Sequence, residues 1–176
     1  MKGRVKLAVA GALAASAALA GTMAFGTGNS IQESLTGYQE DPSALSTSGS
    51  GDFQAQLQAK DQKITYQLSY SGLEGDVLQA HIHLGGRAQS GGVSVFLCAN
   101  DPPGGPPGTQ PCPPAPATIS GTLTPADVIG PAAQGIAPGE FAELADAIRN
   151  GVTYVNVHST KYPGGEIRAQ LRRHRG

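Results

Sequence analysis

Two of the chain's four histidines stand one residue apart in "QAHIHLGG", residues 79–86. At i and i+2 on an extended segment, His81 and His83 point the same way, about 6.5–7 Å apart along the chain. Side chains of that reach can turn onto one ion at the ~2.0–2.1 Å imidazole–metal distance. Deprotonated imidazole nitrogen is a good ligand for copper and zinc. His158, in "TYVNVHS", takes the non-core side of another strand-like segment, together with Tyr154 and Asn156. If the two segments are neighbours, three imidazoles converge as an open site, with a fourth position for water or substrate. Glu166 and Asn156 are then candidates for orienting a ligating ring from outside. A second reading stands beside this one. His81, His83 and His158 serve as polar-face residues on a solvent-facing sheet, hydrogen-bonded across strands to Asn156, Gln79 or Glu166, with no metal. His174 belongs to the terminal basic cluster and is not counted.

The elements that must position these side chains are legible as period-2 patterns. Phe53, Ala55 and Leu57 alternate with glutamines, and Ile64, Tyr66, Leu68 and Tyr70 alternate with Thr65, Gln67 and Ser69. "KDQK" between them predicts a hairpin. In the histidine strand, residues 77–84, Leu78, Ala80, Ile82 and Leu84 take the core face, and Val77, Gln79, His81 and His83 the other. Residues 93–98 are almost continuously apolar, which predicts burial on both sides. Further strands are expected at 118–123, 153–158 and 166–171, and residues 27–32 as a flexible lead-in. Phe141, Leu144, Ala147 and Ile148 recur at helical spacing over 140–150, with Gly151 placed as a C-terminal cap. Seven or eight short strands and one short helix predict an all-β, antiparallel Greek-key sandwich or barrel.

Composition narrows the function classes. Lys2, Arg4 and Lys6 precede an apolar run over 7–20, and Ala18-Leu19-Ala20 offers a small–x–small cleavage pattern. Residues 1–26 therefore read as a signal peptide and flexible start, and the protein as secreted or periplasmic, not membrane-spanning. Taking three basic residues from 12 leaves nine against 13 acidic, a formal balance of −4. That charge offers no field to phosphates and excludes nucleic acid as a partner. Residues 172–176 form a basic, solvated tail. Cys98 and Cys112 are an even pair expected in an oxidising compartment, so they are expected to form a disulfide across "CANDPPGGPPGTQPC". No nucleophile elbow, P-loop, HExxH or EF-hand pattern occurs, and catalytic residues are therefore not assigned.

Three ordered stretches carry a family likeness: "SLTGYQEDPSALSTSGSGDFQAQL", "ITYQLSYSGLEGDVLQAHIHLG" and "ELADAIRNGVTYVNVHSTKYPGGEIRAQL". Together they resemble the CHRD domain family, the module named after chordin, over residues 33–171. The resemblance implies an all-β extracellular module, with no catalytic activity general to the family and, in chordin, a role in binding growth factors. The bridged Pro/Gly loop and Tyr38-Gln39-Glu40-Asp41-Pro42 depart from the commoner bacterial pattern. "HIHLGG" is also similar to the His-x-His-x-x-Gly strand of copper/zinc superoxide dismutase, whose bridging histidine and zinc loop have no counterpart here. Two functional expectations follow. One is a non-enzymatic module that contacts an extracellular protein or cell-surface partner. The other is an extracytoplasmic copper (or zinc) protein with a three-histidine site, with dismutase-like chemistry as its extension.

Overall fold

A computed structural model describes residues 29–174, so the expected leader lies outside the described residues. Its strands are Ser30–Thr36 (β1), Ser50–Gln58 (β2), Lys63–Ser71 (β3), Val77–Leu84 (β4), Val93–Ala99 (β5), Ala117–Leu123 (β6), Thr153–Ser159 (β7), Ile167–Gln170 (β8) and Arg173–His174 (β9). All pair antiparallel in one sheet, in the order β5-β4-β7-β8-β1-β2-β3-β6, with β9 beside β1. The sheet curls into a nearly closed barrel. Its end strands meet through side chains: Tyr66 and Gln110 both donate to the Leu97 carbonyl of β5, at 2.9 and 3.1 Å, and Gln110 also reaches Ser120 of β6.

Alternation delivers the core. Phe53, Leu57, Ile64, Leu68, Ile82, Val155, Val157 and Ile167 are all buried on the inner face. The single α-helix, Phe141–Arg149 (α1), adds Phe141, Leu144, Ala145 and Ile148 to the same cluster. Gly151 follows it at φ +68°, the left-handed conformation that ends helices and favours glycine. Cys98 and Cys112 are disulfide-bonded, with Cα atoms 5.0 Å apart.

The structure differs from the sequence expectations in two places that bear on the site. Residues 30–32 are not a flexible lead-in but the start of β1, paired with β2 on one side and, through Ser30 and Ile31, with β9 on the other. The segment has few large apolar residues of its own, Ile31 and Leu35, so its partners on both sides specify it. In β4, Val77 is buried and Leu78 only partly so, the reverse of strict alternation. A register irregularity against β7 between Val77 and Gln79 turns the strand over, as an extra residue in a bulge does.

Candidate metal centre

Strands β4 and β7 are neighbours, and their register pairs Gln79 with His158, His81 with Asn156 and His83 with Tyr154. The alternation that sends Ala80, Ile82, Val155 and Val157 into the core sends all three histidines to the opposite side. His158 therefore lies two pairs along from His81 on the same face, and each of His81, His83 and His158 offers a nitrogen within 4.8 Å of the others. The closest approach is His81 Nδ1 to His158 Nε2, at 3.1 Å.

This opposite side is not a solvent face. His81, His83 and His158 are only 3, 7 and 9 % exposed. Phe96 of β5 sets its ring edge-on to His81, centroids 4.3 Å apart. Tyr154 of β7 stacks on His83 at 4.7 Å with the planes 5° apart. The Arg168 guanidinium of β8 lies 3.5 Å from the centre of the Tyr154 ring and donates to the carbonyls of Gly86 and Gln89. The connection between β4 and β5 is thereby tied down over the cluster.

Hydrogen bonding decides where the imidazole lone pairs point. His83 Nδ1 lies 2.9 Å from the Gly91 carbonyl, and His158 Nδ1 lies 2.9 Å from that of Pro163. A carbonyl only accepts, so in both neutral rings Nδ1 carries the proton and Nε2 presents a lone pair. His158 Nε2 faces two further atoms with lone pairs to offer, His81 Nδ1 and, at 3.0 Å, Asn156 Oδ1. The amide nitrogen of Asn156 is engaged with Glu40. A proton on His81 Nδ1 would satisfy His158 but leave the other His81 nitrogen bare. Both His81 Nε2 and His83 Nε2 are buried without a protein partner. Buried polar atoms are rarely left so, and each exception calls for an explanation. A cation at the centre of the cluster would accept one nitrogen from each ring.

The rings are in the form that such an ion needs. Burial pushes His81 down to about 2, aided by the positive charge its histidine neighbours would carry. Burial likewise takes His83 down to about 4 and lowers His158. All three are neutral at neutral pH, and metal does not have to displace a proton from them. Glu40, beside Asn156, is pushed up to about 7 by burial, against the opposing pull of Arg168.

Of the residues singled out from the sequence, His81, His83, His158 and Asn156 meet at this cluster. Glu166 is fully buried elsewhere: its Oε1 accepts from the Thr47 hydroxyl at 2.7 Å and the Glu74 amide at 2.8 Å. Those bonds tie the β1–β2 and β3–β4 connections to β8, not to an imidazole. Sequence reasoning placed Tyr154 on the side of His158 but gave no role in the site to it, to Arg168, Phe96 or Glu40, or to the carbonyls of Gly91 and Pro163. The same alternation reaches Arg168, which pairs with Asn156. The others come from connections and a neighbouring strand, for which the sequence carries no signal.

Among the described residues no helix is long and apolar enough to cross a membrane. The CHRD domain family matches the chain over residues 31–171. No curated protein and no solved structure gives a match.

Proposed function

The chain belongs to the CHRD domain family, and we propose that this member is an extracytoplasmic module holding one copper or zinc ion on His81, His83 and His158. One observation carries the reading: three buried, neutral imidazoles turn lone-pair nitrogens toward one another within 4.8 Å, with no protein proton available to all of them. Imidazole sets of this kind suit copper and zinc, and three protein ligands leave a coordination position open. The Cys98–Cys112 bridge supports an oxidising compartment outside the cytoplasm. The test is metal content. Protein purified from copper- or zinc-replete medium is expected to carry about one equivalent, and His81→Ala to lose it. A wild-type content under roughly a tenth of an equivalent, unchanged by His81→Ala, would end the reading.

A second reading, contact with an extracellular protein or cell surface, is favoured by Tyr38. Its side chain is 72 % exposed on the rim of a pocket of about 220 Å³ that Glu40, Arg87 and Arg168 also line. Tyrosine and arginine are the residues that anchor protein interfaces. The two readings are compatible, because Tyr38 is not among the metal-facing side chains.

A further inference from the structure

The donor set and its surroundings say which charge the ion should carry. All three candidate ligands are neutral imidazoles, and among the described residues no carboxylate or thiolate joins them within ligand distance. The walls are aromatic: the edge of Phe96 against His81 and the face of Tyr154 against His83. The fixed charge nearest this wall is positive, since the Arg168 guanidinium lies 3.5 Å from the centre of the Tyr154 ring. Glu40, which interacts with Asn156 and Arg168, is a buried carboxyl pushed up to about 7, so it is largely uncharged at and below neutral pH.

Desolvation grows with the square of an ion's charge, so a divalent ion sacrifices about four times the hydration free energy of a monovalent one of like size. A site with anionic ligands offsets that loss, and this one has none. A monovalent ion that accepts nitrogen donors in low coordination number escapes the penalty. We propose, resting on the metal-site reading above, that the His81–His83–His158 cluster is selective for copper(I) over zinc(II) and copper(II). The apolar shell favours the same outcome, because excluding water and lowering the local dielectric disfavours the more highly charged oxidation state. Asn156 sharpens the argument. Its amide oxygen stands 3.0 Å from His158 Nε2, where a carboxylate would supply the missing negative charge, and the residue there is the neutral one.

The test is anaerobic competition titration of the mature, metal-free protein. Copper(I) is set against a chromogenic copper(I) chelator, and zinc(II) and copper(II) against chelators of their own. One equivalent of copper(I) is expected to bind at least about a hundredfold more tightly than zinc(II). Zinc(II) or copper(II) binding as tightly as copper(I) would overturn the selectivity and leave the metal-site reading intact. No binding of any of the three would overturn both. Asn156→Asp supplies an independent readout on folded protein, checked by circular dichroism. Its carboxylate is expected to narrow the copper(I)/zinc(II) ratio by about tenfold or more. A ratio that does not move in the folded variant would mean that charge does not set the preference.

Discussion

A buried imidazole titrates against its own desolvation, which ties the stability of the metal-free protein to pH. The unfolded chain takes up protons near the ordinary histidine value of 6.5, whereas folded His83 resists until about 4 and His81 until about 2. His158 is shifted the same way. The folded values are depressed, so the unfolded state binds more protons below 6.5, and stability is lost as pH falls from there. Each ring contributes about 1.4 kcal/mol per pH unit inside its window. Glu40 acts in the opposite sense: raised from 4.5 to about 7, it is protonated more readily when folded, and its contribution fades as pH rises through that range. Three imidazoles outweigh one carboxyl. From His81 and His83 set against Glu40, the metal-free protein is expected to lose about 1 kcal/mol or more between pH 6 and 5, and His158 adds in the same direction. Urea unfolding in the presence of chelator at pH 7, 6 and 5 measures it, and a flat or rising stability on acidification would contradict the burial of these rings.

At the scale of elements, the site depends on how the β4–β5 connection returns over the sheet. Gly91 supplies the carbonyl that holds His83 Nδ1, and its amide donates to the Tyr154 hydroxyl at 3.1 Å. A Cβ at Gly91 would stand 1.7 Å from the Leu84 carbonyl oxygen, a backbone atom that cannot swing aside. Gly91→Ala is therefore expected to displace the connection, lowering stability by about 2 kcal/mol or more and weakening metal binding with it. Thermal melts and metal titration of the one variant report both. The Cys98–Cys112 bridge acts on the opposite end of the histidine strand. Replacing both cysteines by serine restores the freedom of the 14-residue separation in the unfolded chain, a loss of about 3 kcal/mol. Metal stoichiometry in that variant is expected to persist, because no cysteine belongs to the cluster.

For the molecule as a whole, an ion held by the three histidines would bridge two strands far apart in sequence but adjacent in the sheet, and would bind the folded state alone. At a thousandfold excess over Kd such a ligand stabilises by about 4 kcal/mol, which for a domain of this size raises Tm by roughly 10 °C or more. Calorimetry with and without copper or zinc tests the linkage, with His158→Ala expected to abolish the rise. The barrel itself is joined at its seam by side chains, not by a ladder. Gln110→Ala removes the amide that reaches both β5 and β6, at an expected cost of about 1–2 kcal/mol in chemical denaturation, without loss of metal.

Period-2 alternation by itself determined β2, β3, β4, β7 and β8, though not β1 or β9, together with the hairpin from β2 to β3 and the side of β4 and β7 from which the histidines project, because side-chain direction in a strand is a local property. The helix and its glycine stop were likewise legible, as was the family. What alternation cannot say is which strands are neighbours, since pairing joins residues without regard to their separation in sequence. The register that sets Gln79 opposite His158 and His81 opposite Asn156 is a product of the assembled sheet. Burial of the cluster was also a tertiary outcome. A polar face reads as a wet one from sequence, and only the packing of Phe96, Tyr154, Arg168 and the Gly86–Gln89 connection turned it into an interior. The sequence thus determined that three imidazoles would share a side of the sheet. The tertiary structure decided that they would meet, neutral and shielded from water.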